Sequence, residues 1–407
     1  MTKDDTARGV AGARFKDRQG RPAAVVAGLG LNGLGVVRSL ARAGIPVVAL
    51  DTDMSKPTAA TRFGRKIRIR ALAGPEFVAI LMALRPQFTE KPVLILTEEA
   101  SVSAISSERE EIMDAYRISL PAHELVETLM DKTLFQAVAE KTGFAVPRSL
   151  AIDDASIDTA VTQLRYPCIL KPAKKVAAFG QRFAKAYRVE NPDEVIGLWR
   201  EMRSIISTAI LQEWIMGNDG DVYFCLQYRN RPDQSTASFV GRKILQWPPL
   251  VGGTASCAPA PEYSDTLSSL TDRFFQTVGF QGLCSMEYKR DPRDGEFYMV
   301  EPTVGRTDYQ EEIATLNGVN IPAMAYWALT GETGSANRPA PPPVGWRDPV
   351  GEANAQAATN GQAPADTTLR FRDAYFRPDD PMPHIQRQLA RAQARLPRWI
   401  RSFGGLG

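Results

Sequence analysis

The stretch Gly282–Glu312 reads GLCSMEYKRDPRDGEFYMVEPTVGRTDYQEE. Two runs of alternating apolar and polar residues flank Pro292 and Gly295, so the natural reading is a β-hairpin. With the turn centred near Asp294, Glu287 and Glu301 stand directly across from each other. The period-two alternation puts both side chains on one face. Opposed carboxylates repel, and a divalent cation between them removes that cost. Mg²⁺ suits the pair best, because it takes hard oxygen ligands and is commonly shared with substrate phosphates. The apolar neighbours Met299, Val300 and Pro302 argue against an ordinary solvated sheet face.

Upstream, Lys171 ends an apolar strand-like run, CILKP, where a charge is costly without an anionic partner. Lys132 lies in MDKTLF on a helical stretch, and Lys185 in RFAKAYRV follows AKKVAAFGQR. Each is weak alone. Together with the glutamate pair they describe a cationic pocket facing a metal, which is how proteins hold a triphosphate. The strands around them (YPCILKP, FAKAYRV, AILQEWI, VYFCLQYR, SFVGRKILQ, GLCSMEYKR, EFYMVEP) alternate with two helical stretches and predict an α+β region with an antiparallel component, ending near residue 330.

Before this region, strand and helix alternate from Ala23, which argues for a mostly parallel sheet covered by helices. The first turn is GLGLNG, with Gly28, Gly30 and Gly33 in the G-x-G-x-x-G spacing and Asp51 at the end of the next strand. That is the layout of a dinucleotide-binding fingerprint. The first domain is expected over 21–125. Residues 1–20 are charged without an apolar centre, so they read as a disordered tail and no signal peptide. Residues 331–366 are rich in Pro, Ala and Gly and read as a linker. The segment 367–407 is basic: Ile385, Leu389, Ala392 and Leu396 recur at helical spacing with Arg387, Arg391 and Arg395 elsewhere on the turn. Docking on the body of the protein is the ordinary reading of such a helix. Contact with a membrane surface or a partner is the other.

The 407 residues carry a net charge of +3, too small to point to nucleic acid. No apolar run approaches the roughly 20 residues that cross a bilayer. Four scattered cysteines without a C-x-x-C pair fit a reducing, cytoplasmic setting. Only two histidines exist, His123 and His384, which argues against Ser-His-Asp, Cys-His and His-rich zinc chemistry. Carboxylates, lysines, arginines and backbone must do the work.

The order of a DK on a helix, YPCILKP, LQEWI, a Glu-bearing strand and a Glu opening an E-x-x-x-x-R segment resembles the ATP-grasp superfamily, specifically its carboxylate–amine ligases. The likeness covers roughly 21–330. It implies a Rossmann-like domain that binds no dinucleotide, followed over 126–330 by a two-lobed ATP-grasp domain, its lobes about 126–210 and 211–330. It implies ATP and Mg²⁺, two ions, as cofactors. Lys132, Lys171 and Lys185 would contact the phosphates. Glu213 would take the adenine amine, and the backbone of Trp214 and Ile215 the ring. Asp221, with Asp219 the alternative, would accept from the ribose. Glu287, Glu301 and Thr303 would hold metal, Arg306 would face the transferred phosphate or the substrate carboxylate, and Arg242 would bind the acceptor. The glycine turn, through Gly30 and Asn32, would face substrate. Two departures stand out: Thr303 replaces the family's usual Asn, and the loop PAKKVAAFGQR offers only Gly180 where the family is glycine-rich.

The reaction so implied joins a small-molecule carboxylate to an amine through an acyl phosphate, releasing ADP and phosphate. Asp308, Glu311 and Glu312 are the candidate bases for the amine. Two other readings are open: a non-catalytic nucleotide-binding protein of the same fold, and an NAD-dependent oxidoreductase resting on GLGLNG and Asp51. The substrates and the oligomeric state, a homodimer included, are not legible in the sequence.

Overall fold

The computed structural model describes residues 20–173, 179, 182–184, 186–233, 235–334, 341–359 and 369–395. The chain divides into two compact units. The first is Met1–Ala137, Asn218–Glu287 and Glu301–Gly407; the second is Val138–Gly217 and Tyr288–Val300.

The first unit opens with a four-stranded parallel sheet in the order β3-β2-β1-β4: β1 (Ala24–Ala27), β2 (Val47–Asp51), β3 (Arg65–Arg68) and β4 (Val93–Leu96). AVVA, VVALD and VLIL are buried along their whole length, as parallel strands covered on both faces require. Helices α1 (Leu31–Arg42), α2 (Gly74–Leu84), α3 (Glu99–Ser107), α4 (Arg109–Ala115) and α5 (His123–Met130) belong to this part, and α6 (Lys132–Lys141) begins here. The glycine turn before α1 is sterically obligatory. Gly28 has φ +99°, and a Cβ on Gly33 would lie 1.9 Å from the Gly28 carbonyl oxygen.

The second unit contains a four-stranded antiparallel sheet in the order β5-β8-β6-β7, from β5 (Ser149–Ile152), β6 (Cys168–Pro172), β7 (Tyr187–Val189) and β8 (Ala209–Glu213). Helices α7 (Ile157–Ala160) and α8 (Pro192–Met202) add Ile157, Trp199 and Met202 to a core with Leu170 and Leu211.

A seven-stranded sheet follows, in the order β13-β12-β9-β10-β11-β14-β15. Its strands are β9 (Val222–Arg229), β10 (Ala237–Trp247), β11 (Gly253–Pro259), β12 (Gly282–Arg290), β13 (Phe297–Val304), β14 (Val344–Arg347) and β15 (Arg370–Asp373). Within the first unit, Phe224, Leu226 and Phe239 on one face share a core with Val36, Ala323 and Tyr326. On the other face, Gln227 and Ser238 bond to Ser268 of α9 (Ser264–Thr277). That double cover explains why every residue of β9 is buried. α10 (Glu312–Leu316) and α11 (Ile321–Thr330) complete this region.

The stretch expected as linker differs from that reading, since it carries β14 and α12 (Pro349–Ala358). VGWR is only four residues long and follows three prolines, while GEANAQAA is alanine-rich, so both elements hide in biased composition. β15 and α13 (Met382–Arg395) follow.

Candidate active site

The hairpin is present. Gly295, with φ +77°, donates its amide to the Asp291 carbonyl at 2.7 Å and closes the turn. Higher up, the Gly305 amide donates to the Leu283 carbonyl at 2.8 Å. Counting along both strands from that pair leads from Leu283 to Glu287 and from Gly305 to Glu301. The Asp291 amide bonds to the Glu296 carbonyl, one residue out of step with this count, so β13 carries one extra residue in between. Val300 and Glu301 are exposed in succession.

Each glutamate holds a lysine. Glu287 Oε2 lies 2.6 Å from Lys243 Nζ, and Glu301 Oε2 lies 3.1 Å from Lys132 Nζ. Lys243 is buried on β10, where it also donates to Gln246 Oε1 at 3.2 Å. Sequence reading passed over Lys243 in favour of Arg242, although a lysine inside GRKILQW carries the same signal as Lys171 in CILKP. Arg242 must be corrected: alternation along β10 turns it to the opposite face, in register with Tyr223 and Ala258. The same alternation puts Thr303 on the face of Glu301, half-buried. Among the described residues no group of three or more His, Cys, Asp or Glu side chains could hold a metal. Two carboxylates and a hydroxyl fit an ion that completes its shell with phosphate and water, as Mg²⁺ does, and not a protein-caged ion.

Beyond β13 the chain runs through Arg306, whose Nη1 donates to the Thr307 carbonyl at 3.0 Å. Asp308 accepts from Ser285 Oγ at 2.8 Å and Gln310 Nε2 at 3.2 Å. Glu311 is buried, and among the described residues one of its carboxyl oxygens has no hydrogen-bond partner. Burial, aided by the nearby Asp308 charge, pushes its carboxyl up to about 8. Glu312 is removed from the candidate bases. It lies buried 2.6 Å from Arg377 Nη2 and 3.8 Å from Arg38 Nη1, so its charge is committed to an ion-pair network.

Asn32 is likewise corrected as a substrate ligand. Its Nδ2 donates to the Thr97 and Thr307 carbonyls, and its Oδ1 accepts from Thr307 Oγ1. Gly30 is open, with no atom within 4 Å of where a Cβ would stand. Asp51 is fully buried; it accepts from the Leu29 and Asp53 amides and from Lys56 Nζ, which leaves it no free role toward a ribose. Glu98, which sequence reading missed, stands beside Gly28: its Oε1 lies 3.0 Å from the position of a Cβ there. Burial raises the Glu98 carboxyl above the usual range, with the Asp51 charge adding to it and Lys56 and Arg306 opposing.

Of the two ribose candidates, Asp219 is buried and spent on Gln246 and the Leu250 amide. Asp221 caps its turn through the Asn218 amide and is half-buried.

In the second unit, Lys171 Nζ donates to Gln212 Oε1 at 3.1 Å; both occupy the face of the small sheet away from Leu170 and Leu211. Gln212 had no signal in the sequence beyond adjacency to Glu213. Glu213 needs correcting: its side chain is on the core face and its Oε1 accepts from the Arg165 amide at 3.0 Å. Alternation places Gln212 outward and Glu213 inward. The Trp214 amide donates to Pro167, and its ring is flanked by Arg188 at 5.7 Å and Lys289 at 5.4 Å. Ile215 is buried. Lys185 lies outside the described residues.

No family model matches the chain. It is 24% identical over 318 residues to D-aspartate ligase of Enterococcus faecium, covering 73% of this chain and 74% of that one. Over 202 residues it is 23% identical to D-alanine–D-alanine ligase B of Pseudomonas syringae pv. tomato, 44% of this chain and 56% of the relative. It thus spans about three quarters of the first relative's length and just over half of the second's. The structure of N5-carboxyaminoimidazole synthetase from Staphylococcus aureus superposes with a TM-score of 0.59 at 16% identity, over 82% of this chain and 83% of that one. The chain has the ATP-grasp fold, and its sequence likeness is to ligases of the ATP-grasp superfamily. Within it, the likeness is to the carboxylate–amine ligases.

Proposed function

We propose that the protein is an ATP-dependent ligase that joins a carboxylate to an amine through an acyl phosphate. The observation that carries this is the pair Glu287 and Glu301 on adjoining strands, each held by its own lysine.

Glu287 and Glu301, with Thr303, would hold Mg²⁺, which neutralises phosphate charge when bound. Lys132, paired with Glu301, would contact the phosphates, while Lys243 pairs with Glu287. Lys171 binds phosphate, with Gln212 fixing its ammonium, and Lys185 is the third phosphate contact. The Ile215 backbone reads the adenine edge, since the Glu213 carboxylate and the Trp214 backbone are already engaged. Asp221 takes the ribose. Arg306, near Glu98, holds the substrate carboxylate. Its oxygen attacks the γ-phosphorus as ADP leaves; the amine nitrogen then attacks the acyl carbon, phosphate departs and an amide remains. Asp308, oriented by Ser285 and Gln310, accepts the proton the amine must lose. Such chemistry needs positioning and charge neutralisation more than a protein nucleophile, so the scarcity of histidine is no handicap. The relative's name makes D-aspartate the first amine to offer.

The test is ADP release from ATP and Mg²⁺ across a panel of carboxylates and amines. The proposal expects ADP with one carboxylate–amine pair and none with either alone. ATP binding without turnover for any pair favours a nucleotide sensor, and NADH binding without ATP binding overturns the proposal.

A further inference from the structure

The two lysine–glutamate pairs of the candidate site differ in kind. Lys132 and Glu301 are open to solvent, their side chains 68% and 47% exposed, so that pair separates at little cost. Lys243 is only 4% exposed. Its ammonium has three protons to donate and three oxygens around it: Glu287 Oε2 at 2.6 Å, Gln246 Oε1 at 3.2 Å and the Gly252 carbonyl at 3.4 Å. Gln246 is fixed in turn, because its Nε2 donates to Asp219 Oδ1 at 3.0 Å and its amide to Asp219 Oδ2 at 2.8 Å. Drawing the ammonium away from Glu287 would leave a buried charge among neutral acceptors, which is costly. This ion pair is built to stay closed.

That changes the charge available to a metal. Of the two carboxylates, Glu287 is neutralised from within and Glu301 only from the surface. A dication on Glu287 would share the carboxylate with an ammonium that cannot retreat, and like charges so close repel. Glu287 keeps at most Oε1 for an ion. What remains is Glu301 and, on the same face of β13, the Thr303 hydroxyl. Among the described residues no group of three or more His, Cys, Asp or Glu side chains gathers to hold another ion. One carboxylate, a hydroxyl and a shared oxygen suit a single Mg²⁺ that takes phosphate and water for the rest of its shell.

We propose that Lys243 takes the place of one of the two ions that the ATP-grasp resemblance implies, so that a single Mg²⁺, at Glu301 and Thr303, serves the nucleotide. The lysine supplies a fixed positive charge that does not depend on the concentration of free metal. The inference rests on the ATP-binding reading of this site and says how many ions it uses.

The test counts Mn²⁺ by electron paramagnetic resonance on the full-length chain holding AMP-PNP, a nonhydrolysable ATP analogue. One ion per bound nucleotide is expected, without the spin coupling that two neighbouring ions show. Lys243→Met removes the ammonium and keeps the length, so the count should rise from one to two. A lysine that merely braces the sheet would lower the melting temperature of Lys243→Met and leave its count at one; that result overturns the proposal. If Lys243→Met does not fold, the wild-type count decides alone. Two ions per nucleotide on the wild-type chain overturn the proposal and leave the ligase reading standing, since the nucleotide is bound. No bound nucleotide overturns both.

Discussion

In the proposed reaction, Glu301 is the side chain on which most depends. Glu301→Gln keeps the size but removes the charge that Lys132 now compensates at 3.1 Å. ADP release should fall by about a hundredfold or more, the scale of losing one preorganised charge in a transfer site. Because Glu301 and Lys132 are both well exposed, the melting temperature should barely move. A fully active Glu301→Gln protein would remove the metal assignment. Glu311 offers a different test. Its folded-state carboxyl is raised to about 8 from an ordinary 4.5, so between these values the native chain keeps a proton that the unfolded chain has lost. Stability should decline as pH rises from about 4.5 to 8 and level off above. Glu311→Gln should flatten that slope, which melting curves at pH 5 and pH 8 would reveal; an unchanged slope would show that Glu311 does not set it. The pairing of Glu287 with Glu301 was legible in the sequence because alternation and a turn suffice to predict it. Lys243 was not, since the choice between it and Arg242 depends on which face of β10 meets the glutamates. Glu213 and Asn32 misled for a related reason: residue type announces a ligand, while strand parity and neighbouring carbonyls decide whether the side chain is already spent.

At the scale of elements, the glycine turn before α1 separates packing from function. A Cβ at residue 33 would sit 1.9 Å from the Gly28 carbonyl oxygen, so Gly33→Ala must push α1 away from β1. A cost of about 2–4 kcal/mol is expected, read as a lower denaturation midpoint. Gly30 has φ −65° and open space, so Gly30→Ala should change stability by less than about 0.5 kcal/mol. If Gly30→Ala nonetheless raises KM for the carboxylate, the turn approaches substrate; an unchanged KM would leave it a packing device. The G-x-G-x-x-G spacing thus reports the strand-to-helix bend faithfully and the cofactor poorly, because Asp51 is occupied by Leu29 and Lys56. Strands and helices with strong periodicity were legible throughout. β14 and α12 were not, being a four-residue strand and an alanine-rich helix inside a stretch whose composition resembles a linker.

Across the whole molecule, the C-terminal segment is tied to the N-terminal sheet through buried charge. Arg38, Glu312, Arg377 and Asp380 form a network in which Arg38 and Asp380 are fully buried. Removing one member leaves the others uncompensated, so Glu312→Gln should cost about 3–5 kcal/mol in chemical denaturation. A loss under about 1 kcal/mol would mean that the network relaxes. No sequence pattern foretold these pairs, which join residues from 65 to 342 positions apart. Such contacts depend on where β15 and α13 land, and composition carries no information about that.

The central claim is that the glutamate pair serves ATP-driven amide formation. Mass spectrometry of the products formed from ATP, Mg²⁺ and a mixture of amino acids tests it most directly, with the Glu301→Gln protein run alongside. A new amide matched one-for-one by ADP, and absent from the variant reaction, is the predicted result. ATP left intact in every mixture, or an amide made equally well by Glu301→Gln, would contradict it.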